Sequence, residues 1–225
     1  MFLILAALGL EMLFVFRPLA RKLKRAVSSR EAAMAELSRL SQRDGLTGVY
    51  NRRAFDERLT DEWRRASRHG RPVAVIILDV DLFKAYNDTF GHQAGDQALI
   101  RVASTVKARA ERITDTVARY GGEEFVVLMP GTGLEGALIV AEDIRRAVEA
   151  LDIPHPGSSF GGRLTISLGA AGQIPGKNPD PSGLVQAADQ ALYLAKNRGR
   201  NLVAAAESSS ESGMNDHPAG QETPV

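Results

Sequence analysis

The sequence predicts an α/β fold, an α+β sandwich in which helices flank a central mixed sheet that contains antiparallel strands. Residues 73–78 (VAVIIL) form a continuous apolar run, which is typical of a central strand covered on both faces. Residues 51–68 carry apolar side chains at helical spacing, and two short strands, 116–120 and 123–129, flank a Gly-Gly turn. The mixed order of helices and strands, with two adjacent strands joined by a tight turn, indicates this sandwich rather than a doubly wound parallel sheet.

The remaining elements follow from periodicity and from residues that start or stop helices. Periodicity predicts a helix over 94–109, a helix over 132–151, a strand over 163–171 and a helix over 180–199. The helix boundaries are marked by Gly70 and Pro72, by the capping box Thr132-x-x-Glu135, by Asp180 as an N-cap with Pro181 as the first helical residue, and by Gly199. We expect these elements to form one medium-sized domain over residues 44–205.

Composition excludes several classes of protein. The chain has 225 residues, of which 24% are charged and 44% hydrophobic, and these values exclude disorder of the whole chain. Lys and Arg total 28 against 27 Asp and Glu, so the charge gives no indication of binding to a nucleic acid polymer. Because the chain has no cysteine, disulfide scaffolds, thiolate metal sites and cysteine nucleophiles are excluded.

Residues 1–16 (MFLILAALGLEMLFVF) are an apolar run in which Glu11 is the only charged residue. The run is slightly shorter than the roughly 20 residues of a spanning helix, and we expect a membrane anchor, similar to the last helix of a longer receptor truncated upstream. A basic cluster follows, which predicts a cytoplasmic C-terminal side: Arg17, Arg21, Lys22, Lys24 and Arg25. The alternative is a hydrophobic helix docked on the domain.

Residues 17–43 are predicted to form a signalling helix with a weak coiled-coil seam. Positions 19, 23, 26, 30, 33, 37 and 40 alternate in steps of four and three, and all of them except Arg30 are apolar. The alternative is an amphipathic helix that packs on its own domain. At the other end, residues 206–225 lack apolar periodicity, which predicts a disordered tail.

Acidic residues lie where predicted strands end or begin. Asp79 and Asp81 follow the buried strand, and Glu123 and Glu124 begin the strand after the Gly-Gly turn. Carboxylates at the ends of adjacent strands can converge, and such a cluster repels itself unless a cation neutralises it. Hard oxygen ligands favour Mg²⁺ or Mn²⁺, so the pattern points to a metal site. The alternative for each acid is simple solvation at a strand end.

Several segments together resemble the GGDEF family, the bacterial diguanylate cyclases. The segment RYGGEEFVVLMP resembles the family signature in its GGEEF form, and DGLTGVYNRR resembles the motif that opens the domain. LDVDLFKAYNDTFGHQAGDQAL is similar to the family's nucleotide segment, TISLGAA to its penultimate strand and ALYLAKNRGRN to its closing helix. In order and spacing these segments cover residues 44–203.

The resemblance implies condensation of two GTP into cyclic di-GMP and two pyrophosphates, on a fold that resembles nucleotidyl cyclase palm domains. Asp79, the backbone carbonyl of Val80, and Glu123 would hold Mg²⁺ (or Mn²⁺), and Glu124 would complete the cluster. Each 3′-hydroxyl would attack the α-phosphate of the facing GTP in line. Since each domain holds one GTP, catalysis implies a homodimer, at the inner (cytoplasmic) membrane of a bacterium with the catalytic domain in the cytoplasm. Which acid, if any, is the general base stays open.

The resemblance also implies the substrate contacts. Asn87 and Asp96 match guanine-binding positions, and an ionised Asp can accept both the N1–H and the N2–H₂ of guanine, which adenine lacks. His92 either approaches the nucleotide or caps a helix. The other matched positions lie near the phosphates: Leu82, Phe83, Lys84, Gly121, Gly122, Lys196 and Arg200.

Arg112 and Asp115 match the family's RxxD inhibitory site, which binds cyclic di-GMP. Five residues separate Asp115 from Gly121, as in the family pattern. An arginine suits this role because its planar guanidinium pairs with phosphate and guanine edges. Arg119 either assists or only flanks the strand. One departure from the family is Tyr86, where a branched aliphatic residue is commoner, and we expect it to change packing only.

Two other functions compete with a cyclase that makes cyclic di-GMP. The first is a binding module that senses GTP or cyclic di-GMP without turnover, which the intact acidic residues disfavour. The second is a cyclase with relaxed base choice that also makes adenine-containing dinucleotides, which Asp96 disfavours.

Overall fold

A computed structural model describes residues 42–110, 112–176 and 180–206, together with Lys24. The predicted anchor, nearly all of the predicted signalling helix and the predicted tail beyond residue 206 lie outside the described residues. Within the described ranges, no helix is both long and apolar enough to cross a membrane. The chain divides after Gln42, and the fold belongs to the unit that begins at Arg43.

Six strands form one mixed sheet in the order β1-β3-β4-β2-β5-β6. The strands are β1 (Tyr50–Asn51), β2 (Val73–Val80), β3 (Thr116–Gly121), β4 (Glu124–Pro130), β5 (Ile166–Gln173) and β6 (Val203–Ala205). The four central strands pair antiparallel, while β1 lies parallel to β3 and β6 parallel to β5. The described helices are α1 (Arg52–His69), α2 (Phe83–Phe90), α3 (His92–Arg109), α4 (Leu134–Glu149) and α5 (Ser182–Asn197).

Strand β2 lies in the interior of the sheet, between β4 and β5, and all eight of its residues are buried. Ile76 and Leu78 pack with α3 and α4 on one face of the sheet, and Val75 and Ile77 pack with α1 and α5 on the other. Alternation along a strand sends successive side chains to opposite faces, which is why the run is apolar at every position. The predicted mixed α/β sandwich flanked by helices is therefore confirmed.

The structure corrects two helix starts. Gly133, and not Thr132, is the N-cap of α4, and the Thr132 hydroxyl instead accepts a hydrogen bond from Arg112. Pro181 is the N-cap of α5 rather than its first residue, while the Asp180 carboxylate accepts from the Ser182 amide and hydroxyl. A long-range donor in the first case and a tight turn before the helix in the second override the local capping pattern. The short edge strands β1 and β6 and the separate helix α2 were not predicted.

Close packing of β5 on α5 depends on Gly169. A Cβ atom built there would collide with the backbone nitrogen of Leu192 and the backbone oxygen of Ala188. Because these atoms belong to helix backbone and not to the flexible end of a side chain, they cannot move aside without displacing α5.

We predict that Gly169→Ala destabilises the protein by about 1–3 kcal/mol or more, because it overpacks this contact. The matched control is Gly183→Ala, at an exposed helical position with nothing within 4 Å of the added Cβ, which should be neutral or slightly stabilising. Thermal unfolding of both variants checks this. Equal melting temperatures for the two variants would contradict the account of this contact.

Candidate active site

Asp79 is the buried carboxylate of the site, at the end of β2. It lies opposite Glu124 of β4 in the sheet and is 9% exposed. The Lys196 ammonium, from the last turn of α5, lies 2.9 Å from Asp79 Oδ2. The pKa of Asp79 is raised to about 6: burial is the main cause, the contact with Lys196 opposes it, and the charges of Glu123 and Glu124 add to it. The side chain therefore holds its negative charge at a cost that an added cation would relieve.

Asp81, two residues later, has a different role. Its carboxylate is 2% exposed and accepts hydrogen bonds from Thr165 Oγ1 at 2.8 Å, Ser167 Oγ at 2.6 Å and the backbone nitrogen of Asn201 at 3.1 Å. These three hydrogen bonds give Asp81 a structural role in the fold. Of the two aspartates at this strand end, Asp79 is the one that contacts a side-chain cation, Lys196.

The loop that follows β2 has strained backbone at Leu82. This residue has a φ of 55°, in the left-handed region, and it is 36% exposed. Its carbonyl accepts from the Tyr86 amide at 3.1 Å and lies 3.3 Å from His155 Nε2, which must donate because a carbonyl only accepts. Strained backbone of this kind persists only where the surroundings hold it.

His155 is a residue that sequence reasoning missed. It is fully buried, and its ring lies edge-on to Tyr86 with 5.4 Å between ring centroids. Tyr86 thus packs against the histidine that contacts the loop after β2. No local pattern could have identified His155, because it lies 73 positions after Leu82.

A pocket of about 440 Å³ lies between α2, α3 and the turn that joins β3 to β4. It brings together most of the predicted substrate residues, together with Glu123: Phe83, Lys84, Asn87, His92, Asp96 and Gly122. Asn87 Oδ1 is buried and has no hydrogen-bond partner within the described part of the chain. A Cβ at Gly95 would collide with this oxygen, so the glycine leaves room for the Asn87 side chain. Asn87 and the exposed Asp96 therefore line the same pocket.

Arg119 fixes the turn that carries the acidic pair. Its Nε donates to the Gly122 carbonyl at 2.8 Å, and its Nη1 lies 3.2 Å from Asp44 Oδ1. Asp44 also accepts from the amide and hydroxyl of Thr47. The sequence left the role of Arg119 open, and in the structure it connects the turn between β3 and β4 to the first turn of the domain.

The other predicted positions lie outside this pocket. Lys196 contacts Asp79, and Arg200 follows α5 with a φ of 68° and an exposed side chain. Gly121, at the end of β3, is exposed at the turn before Gly122.

The predicted inhibitory pair lies at the turn before β3. Arg112 Nη1 donates to Thr132 Oγ1 at 2.8 Å, and the Asp115 amide donates to the Arg112 carbonyl at 2.9 Å. Asp115 Oδ1 is buried and has no partner among the described residues. Burial raises the pKa of Asp115, and its contacts with Arg112 lower it.

The acidic residues form an open edge rather than a closed cage. Across the described ranges, no group of three or more His, Asp or Glu side chains is arranged as a ready set of metal ligands. Mg²⁺ commonly takes only one or two carboxylates and completes its shell with water and substrate phosphates. The donor set therefore fits a cation that binds together with a phosphate ligand.

Comparison with known proteins identifies the family. The family model described as "Diguanylate cyclase, GGDEF domain" matches residues 41–202. Response regulator PleD of Caulobacter vibrioides is 42% identical over 170 residues, which cover 73% of this chain and 36% of PleD, so the chain spans about a third of that relative.

Solved structures agree with this family. The GGDEF domain of DgcB from Caulobacter crescentus, crystallised in complex with c-di-GMP, has a TM-score of 0.67 and 38% identity, covering 74% of this chain and 94% of that one. The coiled coil and GGDEF domain of DgcB, also with c-di-GMP, gives a TM-score of 0.67 and 33% identity, covering 84% and 99%. The chain therefore belongs to the GGDEF family.

Proposed function

We propose that this chain is a diguanylate cyclase that condenses two GTP into cyclic di-GMP and two pyrophosphates. One observation carries the proposal: Asn87 and Asp96 line the same pocket as Glu123, and Asp79 and Glu124 lie opposite each other at the ends of adjacent strands. A purine-binding pocket beside an open carboxylate edge is the arrangement that nucleotidyl transfer needs. Family membership and the c-di-GMP complexes of DgcB support the same reaction.

Base recognition is assigned to Asn87 and Asp96. Asn87 Oδ1 is an acceptor without a partner in the described ranges, and Asp96 is an exposed acid on the same pocket. Guanine presents N1–H and N2–H₂ donors on one edge, whereas adenine presents no such pair. A pocket with unused acceptors therefore selects GTP over ATP, because ATP would leave these acceptors unpaired.

Asp79, the Val80 carbonyl, Glu123 and Glu124 would hold Mg²⁺, with Mn²⁺ as the other candidate. The raised pKa of Asp79 supports this assignment, because burial, together with the charges of Glu123 and Glu124, makes its negative charge costly without a further cation. When bound, the cation supplies charge neutralisation at the phosphate and lowers the pKa of the attacking hydroxyl.

The phosphates are assigned to the residues around the β2 end. Lys196 and Arg200 supply positive charge, and Lys84 lies on the pocket wall. The loop at Leu82 and Phe83, together with Gly121 and Gly122, lets the triphosphate approach backbone amides. These groups hold the α-phosphate in position for in-line attack by the 3′-hydroxyl of the facing GTP.

Catalysis by this pocket requires a second copy of the domain, because one pocket holds one GTP. We assign dimerisation of the two domains to residues 17–43, whose apolar seam suits a parallel coiled coil. We assign the membrane anchor to residues 1–16. The likeness to the coiled coil and GGDEF domain of DgcB supports this arrangement. The basic cluster after residue 16 supports a cytoplasmic catalytic domain at the bacterial inner membrane.

Product inhibition is assigned to Arg112 and Asp115. The Asp115 carboxylate can accept from a guanine edge, and the exposed Arg112 can pair with a phosphate. Both residues lie on the turn before β3, away from the pocket that holds Asp96.

The test of the function is product analysis by mass, using detergent-purified full-length chain with Mg²⁺ and either GTP or ATP. We expect cyclic di-GMP from GTP alone, and Glu123→Gln should lower the rate by about 100-fold or more. The matched control is Glu135→Gln, at an exposed position on α4, which should retain the wild-type rate. Product from Glu123→Gln at the wild-type rate would refute the metal assignment. GTP binding without product would instead indicate a binding module, and product from ATP a relaxed base choice.

The pKa of Asp79 predicts a pH-dependent stability in EDTA. The folded-state pKa of about 6 exceeds the ordinary 3.8, so ionised Asp79 destabilises the fold above about pH 6, and this cost disappears as the pH falls. Asp79→Asn should therefore raise the free energy of unfolding by about 1–3 kcal/mol at pH 7.5 and by much less at pH 4.5. Urea unfolding at both pH values measures this, with the exposed Asp61→Asn as control. Destabilisation by Asp79→Asn at both pH values would contradict the prediction.

Arg112→Ala should weaken product inhibition. We expect the cyclic di-GMP concentration for half-inhibition to rise about tenfold or more, because a charge-assisted phosphate contact is lost. Arg109→Ala, which removes a nearby exposed arginine paired with Asp143, serves as the control and should keep the wild-type inhibition curve. Identical curves for Arg112→Ala and the wild type would show that the inhibitory site lies elsewhere.

A further inference from the structure

The turn after α5 has unusual backbone at three consecutive residues. Gly199, Arg200 and Asn201 have φ values of 118°, 68° and 47°, all in the positive range. Glycine adopts such angles readily, but Arg200 does so only at a cost, and Asn201 less readily than glycine. The hydrogen bond from the Arg200 amide to the Ala195 carbonyl at 3.1 Å and the contacts of Asn201 hold the turn in this conformation.

Asn201 makes those contacts through both its backbone and its side chain. Its backbone nitrogen donates to Asp81 Oδ2 at 3.1 Å. Its Oδ1 accepts from Arg145 Nη1 at 2.8 Å, and its Nδ2 donates to Glu149 Oε1 at 3.1 Å. Arg145 also pairs with Glu149 at 2.8 Å, so the side chain of Asn201 is held by an ion pair on α4.

The turn is thus attached to β2 at two points. Lys196 pairs with Asp79 before the turn, and Asn201 bonds to Asp81 at its end. Asp81 is itself held by two buried hydroxyls on and beside β5. Arg200 lies between these two attachments, and its backbone nitrogen donates to the Ala195 carbonyl at 3.1 Å. Its side chain is exposed and makes no hydrogen bond or ion pair with any described residue.

We propose that Asn201 is a positioning residue that presents Arg200 to the triphosphate of GTP, with Asp81 and Arg145 as its supports. This inference rests on the proposed function and assigns to it a residue that touches neither the base nor the metal. An arginine on a free turn must lose backbone freedom when it binds a phosphate, and one on a fixed turn has already lost it. Without the contacts of Asn201, Arg200 should therefore bind the β- and γ-phosphates more weakly.

The experiment measures nucleotide binding to the full-length chain in Mg²⁺ by calorimetry. The probes are an α,β-methylene analogue of GTP, whose bridge blocks turnover, and GMP, which lacks the two outer phosphates. The test variant is Asn201→Gly, which tolerates the positive φ and keeps the N–H that donates to Asp81 while removing the contacts to Arg145 and Glu149. The control is Asn197→Ala, at an exposed position one turn earlier.

We expect Asn201→Gly to weaken binding of the GTP analogue about tenfold and to leave binding of GMP unchanged. Asn197→Ala should bind both nucleotides with the wild-type affinity. In an Arg200→Ala background, Asn201→Gly should have no further effect, because the residue that it positions is absent. In turnover assays the KM for GTP should rise more than kcat falls.

Three results would overturn the inference. They are wild-type affinity of Asn201→Gly for the GTP analogue, an equal loss for GMP, and a full further loss in the Arg200→Ala background. Failure of the proposed function is a separate result, since it would appear as absence of cyclic di-GMP from the wild-type chain. The binding comparison would still measure the coupling between Asn201 and Arg200.

Discussion

The complete burial of β2 is the constraint on which the rest of the structure depends. Because helices cover both faces of this strand, polar side chains appear only where it ends. Asp79 contacts Lys196 of α5, whereas Asp81 bonds to Thr165 and Ser167 and to the turn after α5. One aspartate thus contacts a side-chain cation, and the other is held by hydrogen bonds from the residues around it.

Sequence patterns predicted the elements whose information is local. The apolar run of β2, the amphipathic helices and the Gly-Gly turn all depend on neighbouring residues, and their order indicated the antiparallel sheet correctly. The motif residues Asn87 and Asp96 do line one pocket.

What the sequence could not predict depends on contacts between distant segments. His155 and Leu82 are 73 residues apart, and Asn201 and Asp81 are 120 apart, so neither pair leaves a local pattern. The capping box at Thr132 failed for the same reason, since its hydroxyl accepts from Arg112, 20 residues earlier. Such contacts are decided by the sheet order, which brings these segments together.

The bond between Arg119 and Asp44 has a mechanical consequence. One guanidinium joins the carbonyl of Gly122, on the turn between β3 and β4, to a carboxylate in the first turn of the domain. A displacement of the backbone at Asp44 would therefore shift the Arg119 side chain, which also holds the Gly122 carbonyl. The point where the chain enters the domain is thus coupled to the turn that carries Glu123 through one side chain.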